Sequence, residues 1–207
     1  MTYLTLSERE NLLKYKYKGG DQSYVYAYIL SPWAQFCVDM TPTWVAPNLI
    51  TFVGLCLPIT SLILTLLYNP TLEADTQPAW LSIFTGCGIF IYQTLDNMDG
   101  KQARKTGSSS PLGMLFDHGC DAMNAVISPI TVSAVYGTGW TTKLFLTYGC
   151  STIPFFLQTW EEFYVGEMFL PVINGPSEGL LFTVATCFAT SQLGSAWWHV
   201  VSVFSPN

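Results

Sequence analysis

The sequence predicts an all-α fold: a polytopic membrane helix bundle of about five transmembrane helices, with an N-terminal amphipathic helix lying in the membrane interface. Composition is the first observation behind this prediction. Half of the 207 residues are hydrophobic and 11% are charged, whereas a soluble domain carries roughly 25% charged residues. Five apolar stretches with about the length of a membrane span are the second observation. The third is an uneven distribution of basic residues along the chain.

The predicted membrane spans divide one domain, residues 1–207, into an arm and a helical region. Residues 1–45 form the cytosolic and interfacial arm, and residues 48–201 hold the transmembrane helices. Residues 21–44 are aromatic, weakly polar and interrupted by two prolines, which favours an interfacial helix; a loosely packed cytosolic arm is the alternative. The five spans are predicted at residues 48–68, 79–95, 122–140, 144–160 and 179–201.

Basic residues predict the orientation of the chain. Seven of the eight lie before the first span or directly after the second, and Lys143 is the exception. Because cytosolic loops are enriched in Lys and Arg, the N-terminus and the segment after the second span are both expected in the cytosol. The seven are Arg9, Lys14, Lys16, Lys18, Lys101, Arg104 and Lys105.

Charge and cysteine content exclude other classes of protein. The net charge of −6 makes nucleic acid an unexpected partner. Six scattered cysteines without a CxxC pair predict neither a disulfide framework nor a zinc site. Charged residues within the first twenty positions argue against a cleavable signal peptide.

Four aspartates stand out between two oily segments, in the stretch LDNMDGKQARKTGSSSPLGMLFDHGCDAMNA at residues 95–125. At about 100° per residue, Asp96 and Asp99 share one helix face, and Asp117 and Asp121 share a face of the next helix. The segment TGSSSP between them is predicted to be a loop. Two antiparallel helices would therefore bring the four carboxylates together near the cytosolic surface.

Clustered carboxylates predict a metal site. Oxygen ligands suit hard ions such as Mg²⁺ or Mn²⁺, and two such ions can bridge a diphosphate. Small residues near the aspartates leave room for a ligand, and Arg104 can bind phosphate. The alternative is a set of solvated charges at helix ends. His118 lies beside Asp117 and is a candidate general base, although a lone histidine is more often structural.

The spacing of these residues resembles the signature of the CDP-alcohol phosphotransferase family, DxxDGxxAR followed by GxxxDxxxD, and every signature position is filled. The stretches LLKYKYKGGDQSY, PTWVAPNLITFVG, SSSPLGMLFDHGCD and TWEEFYVGEMFLPVINGPSEG resemble the eukaryotic choline/ethanolamine phosphotransferase branch. The similarity covers residues 12–179.

This resemblance implies an enzyme that transfers phosphoethanolamine or phosphocholine from the CDP-alcohol to 1,2-diacylglycerol, with release of CMP. It implies that the four aspartates hold two Mg²⁺ or Mn²⁺ ions and that His118, paired with Glu178, deprotonates the acceptor hydroxyl. A carboxylate placed favourably at a helix N-terminus is the alternative role of Glu178. The residues implied in CDP binding are Asn48, Gly100, Ala103, Arg104 and Gly113.

The resemblance also implies a setting and a set of partners. A multi-pass protein of the endoplasmic reticulum or Golgi membrane is expected, with its active site facing the cytosol and with homodimers as an implied assembly. Because family members are longer, this chain is expected to be a truncated form. A catalytically inactive isoform that associates with the full-length enzyme is the alternative.

Two further classes remain open from the residues alone. An intramembrane prenyltransferase also uses aspartate-rich motifs and Mg²⁺, although the DGxxAR arrangement argues against it. A transporter or channel has the spans in its favour and nothing more. The choice between choline and ethanolamine is left open.

Overall fold

The computed structural model describes residues 5–8, 10 and 18–201, and helices dominate this part of the chain. The predicted cytosolic arm and the first basic cluster therefore lie partly outside the described residues. Two π-helical turns, Tyr26–Leu30 and Gly175–Gly179, lead directly into α-helices. The α-helices are α1 Ser31–Met40, α2 Pro47–Tyr68, α3 Ala79–Thr106, α4 Pro111–Tyr136, α5 Thr142–Val165, α6 Leu180–Leu193 and α7 Trp197–Val201.

The predicted helical bundle is confirmed, and its helices extend beyond the apolar stretches, as the predicted helical placement of the aspartates requires. α3 continues past residue 95 to Thr106, and α4 begins at Pro111 rather than near residue 122. Backbone hydrogen bonding does not end where side chains become charged, so the aspartates lie on regular helix. The loop between the two helices is predicted correctly: Gly107 ends α3 with φ +66°, and the Ser110 hydroxyl caps α4 by accepting from the Gly113 N–H.

One predicted span is wrong, and the confirmed all-α class includes two short strands that were not predicted. The last predicted span, residues 179–201, is not one helix, because the chain breaks after Leu193 at Gly194, which has φ +80°. The all-α prediction also missed two short strands, β1 Gly19–Asp21 and β2 Met168–Leu170, which pair in parallel. Three-residue strands have no alternation to detect, and their pairing joins distant parts of the chain.

α3 is the central helix of the bundle and packs against α1, α2 and α6, while α4 packs against α2 and α5. One core cluster joins α3, α4 and α6 through Ile89, Val132, Val135, Val184 and Cys187. The antiparallel course of α2, α3 and α4 brings the start of α2, the end of α3 and the start of α4 to the same end of the bundle. That end carries the aspartates.

Apolar surface is exposed along the bundle. Within the described part of the chain, α2 is the one helix long and apolar enough to cross a membrane by length and composition. Among the 24 residues of α5 only Leu144 is buried, and Phe145 and Phe163 are 73% and 81% exposed. Such surface is unfavourable in water and favourable against lipid.

Candidate metal centre

Three of the four predicted metal ligands converge in the structure. Asp96 on α3 and Asp117 and Asp121 on α4 each present a carboxylate oxygen, and these oxygens lie within 4.8 Å of one another. All three side chains are half-buried. Because like charges repel strongly where water is partly excluded, this arrangement favours a bound cation.

The fourth carboxylate, Asp99, lies beside this group. It is 7% exposed, and its Oδ2 accepts a hydrogen bond from the Thr51 hydroxyl on α2. A short contact also relates its carboxyl group to that of Asp117. Asp99 is therefore positioned by α2, while the other three carboxylates form the tight cluster.

A metal ion fits the donor set. Asp117 Oδ1 is buried and has no hydrogen-bond partner within the described residues, although buried polar atoms are normally paired. This oxygen belongs to the cluster of carboxylates, and oxygen-only donor sets are those of hard divalent cations. The cluster can therefore hold a metal ion, and Asp96, Asp117 and Asp121 would hold it.

Tyr92 is a contact of the cluster that the sequence did not reveal. It lies on α3, is 2% exposed, and its hydroxyl donates a hydrogen bond to Asp121 Oδ1. Within an apolar span, a tyrosine resembles any other core aromatic residue. The spacing of four between Tyr92 and Asp96 is the only signal that could have drawn attention to it.

The residues predicted to bind CDP lie near three helix ends on the same side of the bundle as the cluster. Asn48 at the start of α2 and Gly113 at the start of α4 are neighbours: a Cβ on Gly113 would lie 3.5 Å from Asn48 Oδ1. On α3, a Cβ on Gly100 would lie 3.6 Å from Arg104 Nη1, so the exposed guanidinium lies over this glycine. Ala103 is half-buried and directly precedes Arg104.

Polar anchors hold the end of α3 against α1 and the loop before α2. Gln102 is fully buried and donates to the carbonyls of Pro42 and Val45, at 3.0 and 3.1 Å.

Lys105 Nζ donates to the Val38 and Thr41 carbonyls at the end of α1, at 2.6 and 2.8 Å. Two basic residues near Arg104 are thus committed to structure: Lys105, and Lys101, whose Nζ lies 2.9 Å from Ser31 Oγ.

Glu178 lies in the π-helical turn before α6, and both of its carboxylate oxygens are engaged. Oε1 accepts from the Ser23 hydroxyl, and Oε2 accepts from the Asn174 N–H at 2.9 Å. Burial acts to raise the pKa of Glu178, but these hydrogen bonds outweigh burial and hold the pKa below its ordinary value of 4.5. In return, the Asn174 side chain accepts from the Ser177 N–H, so Glu178 and Asn174 together cap this turn.

The turn that carries Glu178 is tied to the aspartate helix. Gln93, three residues before Asp96 on α3, is 1% exposed and donates to the carbonyls of Pro176 and Ser177 at 2.6 and 3.1 Å. Asp21, at the end of β1, accepts from Ser177 Oγ at 2.5 Å. The paired strands and this turn therefore form one polar junction against α3.

His118 is half-buried on α4, directly after Asp117. It lies close enough to Asp121 for an electrostatic interaction. The next residue, Gly119, is exposed, and a Cβ there would meet no neighbouring element within 4 Å. The helix surface at Gly119 is therefore open.

Comparison with known proteins identifies the family. The family model described as CDP-alcohol phosphatidyltransferase matches residues 44–205. The chain belongs to this family, which confirms the resemblance drawn from the signature. It is a membrane family, in agreement with the predicted fold class and with the exposed apolar helices.

Three relatives show where in the family the similarity lies. Choline/ethanolaminephosphotransferase 1 of Arabidopsis thaliana is 43% identical over 188 residues, which cover 90% of this chain and 47% of the relative. The protein of the same name in Saccharomyces cerevisiae is 38% identical and covers 93% and 49%. A CDP-diacylglycerol--serine O-phosphatidyltransferase of Encephalitozoon cuniculi is also 38% identical and covers 97% and 51%. The chain thus spans about half the length of the curated relatives it matches.

Proposed function

We propose that this protein transfers phosphoethanolamine or phosphocholine from the CDP-alcohol to 1,2-diacylglycerol, forming phosphatidylethanolamine or phosphatidylcholine and CMP. The observation that carries the proposal is the convergence of Asp96, Asp117 and Asp121, with a buried and unpartnered oxygen on Asp117. Membership of the family and the names of the two choline/ethanolamine relatives support this choice of reaction.

Two Mg²⁺ or Mn²⁺ ions are the proposed cofactors, held by the three converging aspartates together with Asp99. When bound, they neutralise the diphosphate and stabilise the CMP leaving group. Asp99 is held in place for this role by Thr51. Asp96 lies on α3, whereas Asp117 and Asp121 lie on α4. Both motifs of the family signature therefore contribute to the same proposed site.

The CDP moiety is proposed to lie across the ends of α2, α3 and α4. Gly100, Ala103 and Gly113 are small enough to let a diphosphate approach the helix backbones. Arg104 is exposed and can pair with phosphate oxygens, and Asn48 offers an amide next to Gly113. Lys101 and Lys105 play no part in this binding, because their ammonium groups hold α1.

His118 is the proposed base that accepts the proton of the diacylglycerol hydroxyl, since a primary alcohol is a poor nucleophile. The open surface beside Gly119 gives the acceptor room to approach. Glu178 is proposed to orient the imidazole and to stabilise its protonated form. Each oxygen of Glu178 accepts one hydrogen bond, from Ser23 or Asn174, and each can accept a further bond from the imidazole.

The proposed setting is the membrane of the endoplasmic reticulum or Golgi, with the aspartates on the cytosolic side and a homodimer as the assembly. A site at the membrane surface allows a water-soluble CDP ester to meet a lipid acceptor. All seven basic residues on this side lie in the N-terminal arm or near the end of α3, in keeping with the orientation.

A second candidate reaction is phosphatidyl transfer from CDP-diacylglycerol to serine, favoured by the name of the Encephalitozoon relative. The same metal cluster would serve it, because both donors carry a cytidine diphosphate. The two reactions differ in which substrate supplies the hydroxyl group, so they can be separated by substrate alone.

The test is an assay of membranes that express these 207 residues. Radiolabelled CDP-ethanolamine or CDP-choline is supplied with diacylglycerol, and CDP-diacylglycerol with labelled serine, each with and without Mg²⁺ or Mn²⁺. We expect metal-dependent phospholipid from the first pair and its loss in Asp117→Asn, with membrane insertion unchanged. Product from serine alone would favour the second reaction, and wild-type rates in Asp117→Asn would exclude the metal site. No product from any pair would favour the non-catalytic alternative.

A further inference from the structure

Tyr92 connects the two helices that carry the metal cluster. Its backbone belongs to α3, one turn before Asp96, and its hydroxyl donates to Oδ1 of Asp121 on α4. The side chain is 2% exposed, so water does not compete for this bond. Asp121 is thereby oriented by the helix that faces it.

The ring of Tyr92 is itself held by a third helix. A Cβ on Gly54 of α2 would lie 3.6 Å from Tyr92 Cδ2 and 3.4 Å from Leu95 Cβ. α2 therefore lies close to the face of α3 that carries the tyrosine. The ring thus lies beside α2, and the hydroxyl bonds to α4.

We infer that Tyr92 is a positioning residue for the metal centre, which fixes the orientation of Asp121 and leaves the rest of its carboxylate free to bind the cation; the inference rests on the proposed function. A carboxylate can accept at several sites on its two oxygens, so one hydrogen bond does not prevent metal binding. Outer partners of this kind orient the ligands, and their loss costs about 10- to 100-fold in metal affinity.

Tyr92→Phe tests this inference by removing one oxygen atom while the ring keeps its place against Gly54. The matched control is Tyr136→Phe, which removes a tyrosine hydroxyl bonded to Thr186 Oγ1 at 2.9 Å between α4 and α6, at the other end of the bundle. Both variants and the wild type are purified as the full chain in detergent. Mn²⁺ binding is measured by electron paramagnetic resonance of the free ion, and the melting temperature is measured with and without Mn²⁺.

We expect Tyr92→Phe to weaken Mn²⁺ binding about 10-fold or more and to reduce the rise in melting temperature that Mn²⁺ produces. Tyr136→Phe should bind Mn²⁺ like the wild type. Where transfer is measured, Tyr92→Phe should need more Mn²⁺ for half-maximal rate and should approach the wild-type rate at saturating metal.

Two results would overturn the inference about Tyr92 and leave the proposed function intact. Equal Mn²⁺ affinity in Tyr92→Phe and the wild type would do so, whether or not the metal-free melting temperature falls, because the hydroxyl would then serve only packing. An equal loss of affinity in Tyr136→Phe would do the same. A wild type that binds no more Mn²⁺ than Asp117→Asn would instead overturn the metal site of the proposed function.

Discussion

The proposed role of His118 can be tested separately from that of the aspartate cluster beside it. It directly follows Asp117, a proposed metal ligand on α4, and precedes the exposed Gly119. We predict that His118→Ala lowers turnover by about 100-fold or more while CDP-ester binding changes little, because the base acts on the acceptor hydroxyl. Initial rates and CDP-ester affinity measure the two effects separately.

The chain offers a matched control for this variant. His199 lies at the opposite end of the bundle, where its Nε2 is 3.0 Å from the Gly137 carbonyl oxygen. His199→Ala should leave turnover near the wild-type value. If CDP-ester binding in His118→Ala falls as much as the rate, His118 is a binding residue and not the base.

Glu178 predicts a dependence of stability on pH. Its pKa is lower in the folded chain than its ordinary 4.5, so its contribution to stability is present above pH 4.5 and is lost as the pH falls through the folded-state pKa. At neutral pH, Glu178→Gln should lower the free energy of unfolding by about 1 kcal/mol. Melting curves of both proteins between pH 3.5 and 7 test this, since the difference should shrink on acidification. A difference that is constant with pH would contradict it.

The residues of the site differ in how far the sequence could predict them. The convergence of Asp96, Asp117 and Asp121 was predictable, because their spacing has a signature and because charge is costly in an apolar chain. Tyr92, Thr51 and Gln93 were not, because a tyrosine, a threonine and a glutamine inside apolar helices have no distinguishing pattern. Their roles depend on contacts between helices, which only the fold supplies.

At the scale of elements, α3 has two faces that differ in how closely they are packed. A Cβ on Gly86 would lie 3.0 Å from Cys187 Cβ and 3.5 Å from the Val184 carbonyl on α6, whereas a Cβ on Gly88 would lie 3.8 Å from Leu57 Cβ on α2. Glycine is therefore needed where α3 meets α6, but not where it meets α2.

This difference predicts opposite effects for the same substitution two residues apart. Gly86→Ala should destabilise the chain by about 1–3 kcal/mol, because α6 must shift to accommodate the methyl group. Gly88→Ala should be neutral or stabilising by up to about 1 kcal/mol, since alanine favours the helix. Thermal unfolding in detergent compares the two variants. Equal destabilisation by both would show that the close contact between α3 and α6 does not cause the effect of Gly86→Ala.

Element boundaries show what composition can and cannot predict. Each apolar stretch overlaps one of the helices α2 to α6, because lipid and core both select apolar side chains. They missed the ends of α3 and α4, which run on through the charged signature, and they missed the pairing of β1 with β2. Helix ends are set by capping residues such as Ser110 and by glycines such as Gly107, not by hydropathy.

For the whole molecule, the exposed apolar surface and the position of the aspartates at one end of the bundle are in keeping with the proposed orientation in the membrane. α5 exposes aromatic residues along its length, including Trp160 at 51% and Phe163 at 81%. The aspartates, the exposed Arg104 and the loop at residues 107–110 lie together at one end of the bundle. The residues between α2 and α3 contain no basic side chain and lie at the opposite end.

This arrangement predicts that the two ends are accessible from different sides of the membrane. Ser109, in the loop between the aspartate helices, and Thr71, between α2 and α3, are both exposed. In sealed microsomes whose cytosolic face is outward, a membrane-impermeant maleimide should label Ser109→Cys above the wild-type background, because basic loops remain in the cytosol. Thr71→Cys should react only after the membrane is permeabilised. Labelling of Thr71→Cys in sealed vesicles, with Ser109→Cys protected, would reverse the proposed orientation and separate the metal centre from cytosolic CDP esters.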